Sequence, residues 1–292
     1  MADTFVYKKT DGCEIQGVLH ETDGKQAPLL VYIHGGGLIW GTRDDMNREQ
    51  IRRYNEAGFN VFSVDYRLAP ESRLPEIRDD IQDLMVWLKT DSPAHFDFDR
   101  ERVAVIGSSA GGYLALLSGT FDVKPDAIVS FYGYGQVTGD WYRNPSPHFT
   151  SMTTVPEILA KQLIQSTPIS SAPIERRYAI YLYCRQQGTW LDWVTGSDAA
   201  VKGRLGHYAP VETADTEFPA TLLIHGDADE DVPYSESVAM KEKLDSLGVR
   251  NELMTITNGK HNFDANMDDP DSVRAVNHGI RFLQEQFHMK SL

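Results

Sequence analysis

The feature that most narrows what this chain can fold into is an alternation. Short, uninterrupted apolar runs are separated by stretches whose apolar residues recur at helical spacing. The runs are Leu29 to His34, Asn60 to Tyr66, Val103 to Gly107, Ala127 to Tyr132, Ala220 to His225 and Glu252 to Ile256. A strand that is apolar on both faces must be covered on both faces, and helices do this for parallel sheets. The covering helices are marked by Ile77, Ile81, Leu84, Met85 and Leu88, by Val238, Leu244 and Leu247 ahead of a terminating Gly248, and by Val273, Val276, Ile280, Leu283 and Phe287. The expected class is therefore α/β, with a mostly parallel central sheet and helices on both faces. Two β-rich segments, Phe5 to Lys9 and Cys13 to His20, flank Asp11-Gly12, a pair suited to a tight hairpin turn, so the chain is expected to open with an antiparallel edge.

One stretch breaks the rhythm. From about Gly133 to Phe218 the strand signal vanishes, and segments such as Ile158 to Gln165 and Arg176 to Gln186 are helical. This predicts a helical cap, 133–218, inserted into a core made of 1–132 and 219–292, although the length alone fits two domains as well as one large domain with an inserted subdomain. Trp141, Tyr142, Phe149, Tyr178, Tyr181, Trp190 and Trp193 give the cap enough aromatic surface to line an acyl or aryl pocket, although the simpler role for any one of them is the cap's own small core.

Charge excludes one class of partner. With 42 acidic against 28 basic residues the net charge is −14, which repels phosphate backbones, so no nucleic acid is expected. The start, Met1-Ala2-Asp3-Thr4-Phe5, lacks the flank and apolar run of a secretory signal, and no apolar stretch reaches membrane-spanning length. A soluble, cytoplasmic protein without a membrane partner is the expectation. Cys13 and Cys184 belong to no CxxC or Cys/His cluster and read as two buried thiols, with no metal and no cofactor called for.

The chemistry is carried by four motifs. Gly107-Ser108-Ser109-Ala110-Gly111-Gly112 contains GxSxG between a predicted strand and a predicted helix. The sharp turn between such elements lifts the central hydroxyl, here that of Ser109, into the open. The pattern alone is weak, and its setting gives it weight. After another strand, His34-Gly35-Gly36-Gly37 exposes backbone N–H groups with no side chains in the way, as a developing alkoxide requires. The expected donors are Gly36, Gly37 and Ala110, with His34 structural. A serine needs a base, and of nine histidines only His261 falls in a loop after the last strand and before the last helix, on the carboxyl edge of a parallel sheet. The third member should be a carboxylate on the same edge. In His225-Gly226-Asp227-Ala228-Asp229-Glu230-Asp231-Val232-Pro233 the D-x-x-V-P spacing favours Asp229, with Asp227 second and Asp231 third. The same D-x-D-x-D run fails as a calcium loop, because Val232 and Val238 stand where such a loop needs glycine and glutamate. Asp227 and Asp231 could simply belong to a solvated acidic turn.

Together these pieces, with Asp65-Tyr66-Arg67-Leu68-Ala69-Pro70-Glu71, resemble the hormone-sensitive-lipase-like branch of the α/β-hydrolases, which includes carboxylesterases. Their order, separations and strand-end positions agree over nearly the whole chain outside the cap. The resemblance implies a Ser109 nucleophile, a His261 base, an Asp229 orienting acid and an oxyanion hole from Gly36, Gly37 and Ala110. It implies a structural task for 65–71, where Asp65 and Arg67 are as open to pairing as to touching substrate. Two departures stand out. Many members carry a long helical segment before HGGG, whereas here the motif begins at residue 34, so a lid must come mainly from 133–218. Ser108 stands where the family often has an acid.

The expected activity is hydrolysis of short- to medium-chain acyl or aryl carboxylic esters through an acyl-enzyme, failing as pH drops below roughly 6 to 7 because the base must be neutral. The same triad would serve a peptidase or amidase, and a ligand-binding protein on this scaffold is the remaining rival. The expected partner is a small-molecule ester, and the chain is expected to act as a monomer or homodimer.

Overall fold

Each apolar run becomes a strand. The computed structural model describes residues 3–10 and 12–289; Met1, Ala2 and Asp11, on which the readings of the N-terminus and of the hairpin turn fall, lie outside the described residues. The strands are β1 (Asp3–Thr10), β2 (Cys13–His20), β3 (Pro28–Ile33), β4 (Asn60–Val64), β5 (Asp99–Ser108), β6 (Ala127–Phe131), β7 (Ala220–Gly226) and β8 (Asn251–Ile256). They form one sheet in the order β1-β2-β4-β3-β5-β6-β7-β8. The pairs from β4 through β8 are parallel, while β2 runs against both β1 and β4.

Period-two alternation in the buried strands divides the core. Leu29, Val31 and Ile33 of β3 face one layer, and Leu30 and Tyr32 face the other. The first layer is closed by α2 (Leu74–Thr90), α3 (Ala110–Ser118) and α11 (Ser235–Leu247), through residues such as Ile77, Leu84, Leu114 and Leu244. The second is closed by α1 (Arg48–Glu56) and α12 (Pro270–Gln286), through Tyr54, Val276 and Leu283. Gly248 ends α11 in the left-handed region at φ 69°, where a side chain would be strained.

Between β6 and β7 lie α4 (Asp140–Arg143), α5 (Pro147–Thr150), α6 (Glu157–Gln162), α7 (Ile174–Gln187), α8 (Trp190–Thr195), α9 (Ala199–Lys202) and α10 (Pro210–Thr213). This helical insertion is tied down at buried points. Ala172 exchanges two backbone hydrogen bonds with Gly41. Arg177, 2% exposed, donates to both carboxylate oxygens of Glu71, 1% exposed, and to the carbonyls of Ile39 and Ala69. Removing one partner of such a buried pair typically costs about 3–5 kcal/mol.

Two expectations need correction, and one open alternative is decided. Asp65 and Arg67 pair rather than reach the cleft: Asp65 takes the guanidinium and amide of Arg43, and Arg67 grips Asp80 on α2. Buried charges must find opposite partners where the chain supplies them. Of the two thiols only Cys184 is buried; Cys13, starting the second strand from the sheet's open edge, is half-buried. Asp231 is not part of a solvated turn, since its carboxylate is paired with Arg185.

Candidate active site

At the end of β5 the chain must turn from strand to helix within one residue, and Ser109 takes φ 57°, ψ −120° to do so. That conformation costs a residue with a side chain about 1–3 kcal/mol. The turn can close this tightly because glycines stand two positions to either side: a Cβ on Gly107 would lie 2.2 Å from the Gly111 carbonyl oxygen, and one on Gly111 would lie 2.0 Å from that of Ile33. A serine at a helix N-cap ordinarily accepts a backbone N–H. Here the side chain makes no such bond, and its hydroxyl faces an imidazole instead.

Ser109 Oγ lies 3.0 Å from His261 Nε2, and His261 Nδ1 lies 2.7 Å from Asp229 Oδ2. The three side chains come from the loops after β5, β8 and β7, all on the carboxyl edge of the parallel strands. Asp229 Oδ1 accepts the amides of Asp231 and Val232 at 2.8 and 3.0 Å. A second histidine also meets this carboxylate: His225 Nε2 is 3.2 Å from Oδ2 and 3.1 Å from the Val232 carbonyl. Both neighbours are acceptors, so Nε2 carries the proton and Nδ1, 2.7 Å from Ser237 Oγ, accepts. Sequence reasoning passed over His225 as the end of a strand; its spacing of four residues from Asp229 was the available signal.

Asp227 goes elsewhere, accepting the Asn258 amide at 2.6 Å. Burial by itself would raise the pKa of Asp229, but the hydrogen bonds from His225 and His261 reverse this and hold it well below the usual carboxylate range. For His261, burial opposes the imidazolium, yet Asp231 and Asp229 outweigh it and raise the pKa above the ordinary 6.5.

The glycine loop after β3 is pinned by its carbonyls. Gly35 O accepts the Tyr66 hydroxyl at 3.0 Å and lies 2.9 Å from His34 Nδ1, while Gly36 O accepts the amides of Ile39 and Trp40. In a trans peptide the N–H points opposite to the carbonyl, so the amides of Gly36 and Gly37 turn away from these partners. Both glycines line the cleft beside Ser109, and among the described residues neither these amides nor that of Ala110 has a backbone acceptor. His34 stacks on Tyr66 with centroids 4.3 Å apart, and burial pushes its pKa down to about 4. It is a structural histidine.

The cleft holds about 550 Å³, within the range of small-molecule sites. Its wall toward the insertion is aromatic, built from Phe149, Tyr178 and Tyr181 with Trp40 of the core. Tyr142 stacks between Trp141 and Trp190 at 3.5 and 3.8 Å in the hydrophobic layer shared with the sheet, and Trp190 Nε1 donates to the Gly37 carbonyl at 2.8 Å. The opposite wall is polar and was not foreseen. Tyr132, held at φ 37°, packs its ring 4.7 Å from that of His261 and donates its hydroxyl to Asp264, which also accepts Gln50 Nε2. Burial raises the pKa of Asp264 against the pull of these two donors. Ser108 lines the cleft on this side.

A sequence model of the BD-FAE family matches residues 18–244. A segment of the non-reducing polyketide synthase ausA of Aspergillus calidoustus is 28% identical over 97% of this chain, which spans only 14% of the length of that synthase. An alpha/beta hydrolase superfamily protein from Enterococcus faecalis has a similar structure, with TM-score 0.79 and 22% identity over 98% of this chain and 99% of that one. A thermophilic esterase from the Planctomycetes species Thermogutta terrifontis, with propionate bound, has TM-score 0.70 and 18% identity over 100% of this chain and 96% of its own. At these identities the two structures share the fold. Among the described residues no helix is long and apolar enough to cross a membrane.

Proposed function

The chain belongs to the BD-FAE family, and on that premise we propose that it is a serine hydrolase of carboxylic esters, close in its motifs to the hormone-sensitive-lipase-like branch. One observation carries the reading: a hydroxyl on a strained turn, 3.0 Å from an imidazole whose other nitrogen lies 2.7 Å from a buried carboxylate, within a cleft. In the proposed reaction Ser109 attacks the ester carbonyl while His261 takes its proton. The amides of Gly36, Gly37 and Ala110 hold the oxyanion, the protonated His261 delivers its proton to the departing alcohol, and water releases the acyl group by the reverse route. Asp229 keeps the proton of the resting imidazole on Nδ1. The insertion 133–218 serves as the lid, and its aromatic wall receives the apolar part of the substrate.

A fluorophosphonate probe is expected to label Ser109, read by peptide mass spectrometry, and a chromogenic propionyl or butyryl ester is expected to turn over while the matching anilide does not. Efficient anilide cleavage would make the chain an amidase, and no labelling would leave it a binding protein on this scaffold. A matching thioester belongs in the same panel, because a triad does not by itself specify the leaving group.

The raised pKa of His261 fixes a pH dependence. The base works unprotonated, so kcat/KM at pH 6.5 is expected to be less than half its plateau at higher pH. An acid limb centred well below pH 6 would contradict the proton assignment.

A further inference from the structure

Among the described residues, Asp231 is the cleft carboxylate outside the triad that comes within ion-pair distance of the base. Asp231 Oδ2 lies 3.8 Å from His261 Nε2, the nitrogen that faces Ser109, on the opposite side of the ring from Asp229. Asp231 does not stand alone. Its Oδ1 accepts the Tyr181 hydroxyl at 2.6 Å and the Arg185 guanidinium. Arg185 also donates to the Tyr181 oxygen at 2.7 Å and to the Asp231 carbonyl at 3.1 Å. The Arg185 side chain is 2% exposed, and rings of Trp141, Tyr142, Phe149 and Tyr181 surround its guanidinium with centroids within 5.6 Å. Burying a guanidinium so deeply is costly unless its charge is met, and Asp231 is the acid that meets it.

The elements involved give this pair its meaning. Tyr181 and Arg185 stand one turn apart on α7 of the insertion, whereas Asp231 and His261 stand in loops of the core. The geometry points to Asp231 as a second, positioning acid for the base: it favours the imidazolium at Nε2, and its pairing with Arg185 and Tyr181 makes the proton affinity of His261 depend on the seating of α7. A carboxylate at this distance favours a proton on Nε2, and a guanidinium bonded to that carboxylate opposes it. When α7 is seated, Arg185 offsets part of the pull that Asp231 exerts on the proton. When α7 shifts away, Asp231 is left to hold the proton on His261, and the base is withdrawn from use. The insertion would then couple its closure to the readiness of the nucleophile.

Among the described residues, the other titratable or charged groups around the ring are Asp229 at Nδ1, with His225 behind it, and Tyr132 with Asp264 on the polar wall, while Tyr32, Asp45 and Tyr178 line the same cleft. At the rim, Glu230 faces Lys260 and His148. Replacing Asp231 by asparagine leaves all of these in place.

The inference rests on the hydrolase reading, so its test uses a readout that needs no turnover: titration of the His261 imidazole by NMR, set beside the pH profile of kcat/KM. Asp231→Asn is expected to move both to lower pH by roughly half a unit or more, and Arg185→Gln to move them to higher pH. Should Arg185→Gln fail to fold, Tyr181→Phe removes one donor from Asp231 and is expected to move the titration the same way by less. A titration unmoved in Asp231→Asn, or moved in the same direction by both charge substitutions, would overturn the inference. A titration that moves as expected in a protein hydrolysing no ester would overturn the hydrolase reading alone.

Discussion

Ser109→Ala is expected to lower kcat for a short-chain ester about a million-fold while leaving the thermal midpoint within a degree or two of the parent. The size follows from what the hydroxyl does: without it no acyl-enzyme forms, and only the background rate that the oxyanion donors give to an attacking water remains. The unchanged stability follows from what the hydroxyl does not do. It caps no helix, and its recorded partner is the imidazole at 3.0 Å. The backbone strain at φ 57° is carried equally by serine and alanine, so the substitution neither relieves nor adds to it. Circular dichroism melts beside steady-state rates check both halves. A loss of less than tenfold would remove Ser109 from the reaction, and a large fall in the melting temperature would mean that the elbow itself had collapsed.

How far such expectations could be reached from sequence depended on whether a residue's partner was nearby in the chain or set by its position at a strand end. The parallel strands were legible because burial on both faces writes a continuous apolar run. Where burial stops, so does the signal: β5 begins at Asp99, and its polar lead-in Asp99–Arg102 reads as loop even though Asp99 pairs with Pro28. Helix α1 was missed altogether, since Arg48–Glu56 offers only Ile51 and Tyr54 as apolar residues and is docked in part by a hydrogen bond from Gln50 to Asp264. Ser109, Asp229 and His261 could be named because each follows a recognisable strand, and chain order then fixes which edge they share. The buried pairs Arg177 with Glu71 and Arg185 with Asp231 had no such rule. Their members are 106 and 46 residues apart, and an arginine on an amphipathic helix ordinarily marks the solvent face. Tyr132 was read as the end of a strand, and nothing local announces that its hydroxyl closes on a carboxylate beyond the base.

Asp229→Asn is expected to lower kcat about ten-thousand-fold with KM little changed, and hydrogen-bond accounting explains why an isosteric change is so damaging. The side chain occupies two acceptor positions. At Oδ1 it meets the amides of Asp231 and Val232, and at Oδ2 it meets His261 Nδ1 at 2.7 Å and His225 Nε2 at 3.2 Å. Asparagine has one oxygen and one NH2 group. Placing the oxygen where the two backbone N–H groups require an acceptor turns the NH2 toward His261, whose Nδ1 must then accept rather than donate. The proton moves to Nε2, aimed at Ser109, and the ring can no longer take the serine proton. The reversed orientation would instead point NH2 at two backbone donors, leaving three buried donors without acceptors, which is the costlier arrangement. His225 Nε2 keeps the Val232 carbonyl at 3.1 Å, so the fold is expected to survive. The His261 proton should then be found on Nε2 in the nitrogen spectrum of the variant. A variant that retained a tenth of the parent rate, or whose imidazole kept its proton on Nδ1, would show that this carboxylate does not set the tautomer of the base.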